Sequence, residues 1–168
     1  MPRLPDLIEQ FARIRSGDPW FGPPIAQVLD GVTARQAASR PIPRAHSIWE
    51  LVLHMTAWVN EVRRRLETGV WRMPEEGDWP EVTATTGKAW HQAVDGLLTA
   101  HDGLIRLLQA LEETRLDETL GQERDAPLGT GVTYSVTLHG LLQHDAYHLG
   151  QIALLKRAAR RGAVRSER

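Results

Sequence analysis

The sequence predicts an all-α chain, a four-helix bundle, and three features carry that expectation. Ile48, Leu51, Met55, Trp58, Val59, Val62 and Leu66 fall on one arc of a helix, the mark of an amphipathic segment. Trp90, Val94, Leu97, His101, Leu104, Leu108 and Leu111 recur at 4-3-4-3-4-3 intervals, the heptad of a helix packed in a bundle. No segment alternates apolar and polar residues as a half-buried strand does, and no internal repeat appears. The 168 residues fit one domain over 1–168, long enough to bury a substantial core.

Leu4, Leu7, Ile8, Phe11 and Ile14 predict a first helix over 4–15, interrupted by Ser16-Gly17-Asp18-Pro19. Pro23-Pro24 suits the first turn of a helix, and Ile25, Val28 and Leu29 give that short helix an apolar side as far as Gly31. Thr33-Ala34-Arg35-Gln36 is a capping box opening another short helix that stops before Pro41. Ser47-Ile48-Trp49-Glu50 is a second capping box, and the helix it opens runs to about Thr68. Gly69 to Gly87 is a connection of a length that is uncommon and often functional, and it contains Trp71 and Trp79. The heptad helix follows, from about Gly87 to Glu113. Residues 114–132 read as a polar connection, and Thr133 or Ser135 caps a last helix from Val136 to Arg160. These connection lengths permit an up-down-down-up order without fixing it.

Composition narrows the function. A net charge of -1 supplies no basic field for nucleic acid, so no nucleic-acid partner is expected. The Arg-rich end (Arg157, Arg160, Arg161, Arg165, Arg168) reads as a solvated helix terminus that complements the helix dipole. No apolar run approaches the roughly 18 residues that span a bilayer, and the first residues lack a signal-peptide core, so a cytoplasmic protein with no membrane partner is expected. The absence of cysteine removes thiolate ligands and any thiol nucleophile of the protein's own.

The most informative stretch is His144-Asp145-Ala146-Tyr147-His148. Residues four apart lie about 40° apart on a helix, so the two imidazoles stand side by side one turn apart and can chelate one ion. Unrolled, His144 and His148 share an arc with Leu141, Ile152 and Leu155, flanked by Val136, Tyr147 and Leu154. Imidazoles among leucines are costly without partners, and a divalent cation satisfies several ring nitrogens together. A third ligand from another helix would complete the site. His54, at the edge of the 48–66 arc, and His101, on the heptad seam, compete for that place.

Three segments resemble the DinB-like (YfiT-like) superfamily of metal-dependent enzymes. They are Val28-Leu29-Asp30-Gly31-Val32-Thr33 with Arg40-Pro41, then His46 to Met55, and His139 to Ile152, the last matching a dozen consecutive positions. The resemblance implies an up-down-down-up bundle, often a homodimer. It implies a Zn²⁺ or Ni²⁺ site on His54, His144 and His148, the positions of the family's ligands, and leaves His101 to the core or a pocket wall. Its members include thiol-dependent S-transferases and a mycothiol-dependent maleylpyruvate isomerase.

Three imidazoles on one ion leave at least one coordination position open, as catalytic sites do. The function expected is therefore a metal-dependent S-transferase or hydrolase acting on a small-molecule substrate. Because the chain has no cysteine, thiol chemistry requires a low-molecular-weight thiol cosubstrate. The alternative is a non-catalytic stress-response or interaction bundle whose metal ties two helices together. Asp145 and Gln151 are candidates to orient imidazole N–H groups. Glu50, one turn before His54, is a third, although it is also the acid of a capping box. Trp49, Trp58, His101 and Tyr147 are pocket candidates, and His46, His91 and His139 receive no role. Leu138, Leu142, Leu149 and Ala153 form a second apolar stripe on the last helix, which predicts a homodimer through that face unless loops or the N-terminal segment cover it.

Overall fold

The computed structural model describes residues 3–121 and 131–166, with side chains as far as Arg160. Helix α1 (Arg3–Ser16) buries Leu4, Leu7, Phe11 and Ile14. The short α2 (Ile25–Leu29) follows the proline pair, and α3 (Ala34–Ala38) opens on the expected box, in which Thr33 and Gln36 satisfy each other's backbone N–H. The same device opens α4 (Ile48–Thr68), where Glu50 Oε2 accepts from the Ser47 N–H at 2.7 Å. Gly69 ends α4 at φ 68°, a left-handed conformation that costs glycine little because it has no Cβ. Thr86 caps α5 (Gly87–Gln109), and Thr133 Oγ1 accepts from the Val136 N–H at the start of α6 (Tyr134–Ser166).

Two details depart from expectation. Helix α5 stops at Gln109, so Leu111, the last heptad position, lies beyond it. The connection after it contains a 3₁₀ turn (Glu113–Asp117) and an antiparallel ribbon of β1 (Thr119–Leu120) with β2 (Val132–Thr133). Two-residue strands are too short to produce an alternation in sequence. Residues 122–130 of that connection, and the side chains of Arg161, Arg165 and Arg168 in the arginine-rich end, lie outside the described residues.

Contacts along the helices fix their directions. Trp49 meets Trp90 and Arg63 lies against Gly103, so α4 and α5 run parallel. His54 meets His148 and Trp58 meets His144, so α4 and α6 run antiparallel. The Leu4 N–H reaches the Glu113 carboxylate, just past the end of α5, while Arg15 pairs with Asp102 inside it, which sets α1 antiparallel to α5. The four long helices are thus arranged up-down-down-up, with α4 and α1 each packed on both α5 and α6. No helix among the described residues is long and apolar enough to cross a membrane.

The core has two apolar halves. One gathers Ile14, Ile25, Val28, Trp49, Met55, Leu97, Leu149 and Ile152, and the other Leu4, Phe11, Val59, Leu66, Leu104, Leu138 and Leu141. Between Leu97 and Leu104 on α5 stands His101, and between Leu141 and Leu149 on α6 stands Asp145, both with no exposed surface. A polar layer therefore crosses the middle of the bundle.

Helix α6 turns the expected arc inward, with Leu141, His148, Ile152 and Leu155 buried, but the flanks of that arc differ from expectation. Leu138 and Leu149 of the second stripe are buried within the chain, where α1 and α2 cover them, while Val136, Tyr147 and Leu154 face outward. A helix wedged between α4 and the N-terminal helices buries a wider face than one seam requires. Leu142 and Ala153, the other two residues of the stripe, are partly buried against the same core.

Candidate metal centre

Helices α4 and α6 bring His54, His144 and His148 together, with one ligand atom from each lying within 4.8 Å of the others. His54 Nδ1 lies 2.6 Å from the carbonyl oxygen of Asp78. A carbonyl only accepts, so Nδ1 carries the proton and the neutral ring presents its Nε2 lone pair. His148 Nδ1 likewise donates to Gln151 Oε1 at 2.8 Å, freeing its own Nε2. His144 Nε2 stands 2.9 Å from His54 Nε2, and its Nδ1 faces Asp145 Oδ1 at 3.7 Å. A carboxylate oxygen on that side favours the proton on Nδ1 and leaves a third lone pair inward. Lone pairs this close repel, and a cation between them turns the repulsion into coordination, so the donor set fits a divalent ion with Zn–N distances of about 2.0–2.1 Å after small ring rotations.

Electrostatics agree with that reading. Burial holds the His54 and His144 imidazoles below their ordinary value, and it pushes His148 down to about 4. Neutral imidazole is the form that ligates a metal. Burial moves Asp145 the other way, up to about 6, because nothing donates to its oxygens.

The remaining candidates separate clearly. Gln151 Oε1 accepts from His148 Nδ1. Asp145 lies behind His144, fully buried, and is not the surface carboxylate that its neighbours in sequence allow. Trp58 edges the centre, its ring 6.2 Å from His144, and its Nε1–H donates to Asp78 Oδ1 at 2.7 Å. Glu50 is not beside the metal site: one oxygen is committed to the Ser47 cap and the other to Arg40. Trp49 is core, packed on Trp90, and Tyr147, 65% exposed, sets its ring edge-on to that of His148 with 5.1 Å between centroids. His101 is not in the triad and meets Asp145 instead, Nε2 to Oδ2 at 3.6 Å.

Two residues of the site were missed in the sequence, Asp78 and Trp79. The connection from Gly69 to Thr86 folds over the centre, and Trp79 stacks on His54 at 3.9 Å and on His46 at 3.6 Å between ring centroids. His46, given no role, is thus the outer plate of a His-Trp-His stack. The signal present was the length of the connection and its tryptophans, which mark a functional loop without saying which residues reach the helices. Replacing Trp79 with alanine should speed proteolytic cleavage within residues 69–86 and leave the helical circular dichroism unchanged. Equal cleavage rates in both proteins would show that the stack does not fasten the loop.

Beside His144 opens a cavity of about 340 Å³ walled by Trp58, Val62, Arg65, Val136 and Leu141. A larger one, about 570 Å³, lies next to Trp90 and Leu98 and touches none of the three histidines, so volume alone does not select the site.

No curated protein matches the chain in sequence. The sequence model of the DinB superfamily matches residues 25–152, a span that takes in His54, His144, His148 and the loop that covers them. Bundle, triad and matched span agree, and the chain belongs to the DinB superfamily.

Proposed function

We propose that the chain is a metal-dependent enzyme acting on small molecules, a thiol S-transferase or hydrolase, with His54, His144 and His148 as the ligands of a zinc or nickel ion. The observation that carries this reading is the pairing of an oriented histidine triad with an apolar cavity opening directly beside one ligand. A purely structural ion fills its shell with protein ligands, whereas three nitrogens leave room for a reactant. When bound, a divalent ion there supplies Lewis acidity and favours the anionic form of a water or thiol at neutral pH.

The chain's own residues do the rest. The Asp78 carbonyl and the Gln151 amide fix two imidazoles in the ligating tautomer. Trp58, Val62 and Leu141 offer an apolar wall to the body of a substrate and exclude water from the reacting side. With no cysteine in the chain, sulfur chemistry draws on a low-molecular-weight thiol, which a reducing cytoplasm keeps available.

Metal analysis of tag-free protein purified without chelator tests the reading, followed by thiol titration of the Co²⁺-substituted form. One equivalent of metal is expected in the wild type and none in His144→Ala/His148→Ala, with a visible-band change on thiol addition. Stoichiometric metal in the double variant would sink the ligand assignment, and a Co²⁺ spectrum indifferent to thiols and small anions would favour the non-catalytic bundle.

A further inference from the structure

Behind His144, on the side away from His54, the polar layer holds a second histidine and a carboxylate. His101 Nε2 is 3.6 Å from Asp145 Oδ2, and Asp145 Oδ1 is 3.7 Å from His144 Nδ1. His101 and Asp145 have no exposed surface, and His101 Nδ1 and Nε2, His144 Nδ1 and both Asp145 oxygens are buried without a hydrogen-bond partner. Five unpartnered polar atoms in one place are rare, because each forfeits its hydration and recovers nothing. Asp145 nevertheless stands between the two histidines, one oxygen toward each, and each gap is less than 1 Å beyond a normal hydrogen bond.

The three imidazoles of the centre also differ in what stands behind them. His54 donates to the Asp78 carbonyl, with the Asp78 carboxylate 3.4 Å away, and His148 donates to the Gln151 amide oxygen. The carboxylate behind His144 is fully buried and also meets His101, whereas the Asp78 carboxylate near His54 is 43% exposed. An anionic acceptor on Nδ1–H makes the opposite nitrogen a stronger donor to a cation, and the cation in turn supports the buried negative charge.

We propose that Asp145 and His101 are positioning residues for the metal centre, forming a His101–Asp145–His144 network in which Asp145 accepts from Nδ1–H of His144 and from Nε2–H of His101. His144 Nε2 is thereby aimed at the ion, and His101 holds the carboxylate from behind. Replacing apolar side chains by this pair at the seam between two leucine-rich halves gains nothing in packing, and orientation of a ligand accounts for its presence. The inference rests on the three-histidine metal reading given above.

Zinc competition against a chromophoric chelator, with full-length protein, tests it. Asp145→Asn should weaken zinc binding by about 10- to 100-fold, the usual cost of losing such an outer partner. His101→Leu should weaken it by about tenfold without touching the ion. His101→Gln, which returns an N–H to Asp145, should recover most of that loss, a rescue that a merely structural role would not produce. In zinc-loaded wild type, ¹⁵N spectra of the imidazoles should show His144 protonated on Nδ1 and His101 on Nε2. Zinc affinity of folded His101→Leu equal to wild type, or a His101 protonated on Nδ1, overturns the proposal while leaving the metal site standing. A wild type that takes up no zinc overturns the metal reading itself and this inference with it.

Discussion

Removing the divalent ion with a chelator should lower the thermal midpoint of the protein by about 8–16 °C. The ligands come from α4 and α6, and His54 and His144 are 90 positions apart in the chain. Only the assembled bundle brings their nitrogens together, so the ion binds the native state and scarcely binds the unfolded one. At a free metal concentration of about a thousand times the dissociation constant, that preference is worth about 4 kcal/mol. For a chain of this length each kcal/mol moves the midpoint by roughly 2–4 °C. Calorimetry with chelator, then with metal restored, checks the size and reversibility of the shift. The His144→Ala/His148→Ala protein should melt at the same temperature with or without chelator. A wild-type midpoint that moves less than about 2 °C, with elemental analysis confirming the metal gone, would mean that the site contributes nothing to folding.

What the sequence made legible here is what depends on neighbours along the chain. Helical spacing places the long helices, and the Thr33 and Ser47 boxes form as read because a cap is settled within four residues. The His144/His148 pair is legible for the same reason. What it left dark depends on how elements meet. Helix α6 is apolar on two sides, and nothing in its own sequence says that α1 and α2 take one of them, so which flank of the histidine arc is buried, with Asp145 inward and Tyr147 outward, was not foreseeable. The His101–Asp145 contact joins α5 to α6 and has no local signature. Asp78 and Trp79 sit in a connection without periodicity, and only its folding back over α4 gives them partners. Glu50 illustrates the converse: two roles were compatible with its position, and the local one, the cap, claimed the side chain.

Glu61→Ala should destabilise the fold by about 3–5 kcal/mol, which is a fall of roughly 6–20 °C in the midpoint. Glu61 is 2% exposed, and its carboxylate accepts from Arg65 Nε at 2.7 Å and from Arg64 Nε at 3.0 Å. Arg65 is itself buried, with its guanidinium over the Trp58 and Trp71 rings and its Nη2–H donating to the Arg72 carbonyl at 2.9 Å. Burial already pulls the Arg65 guanidinium below its ordinary value, against the support that Glu61 gives it. Without Glu61 the cation keeps its desolvation cost and loses its counter-charge, the case in which breaking a buried pair is most expensive. The double variant Glu61→Leu/Arg65→Met removes both charges and should cost clearly less than Glu61→Ala, because no charge is then stranded among the tryptophans. Arg65 also walls the cavity beside His144, so Glu61→Ala should disturb that cavity while leaving the triad, whose His54 is about two turns away along α4, able to bind metal. Thermal unfolding of the two variants decides it: a Glu61→Ala midpoint within about 2 °C of wild type would show that Arg65 finds its support elsewhere, in the aromatic rings and the Arg72 carbonyl.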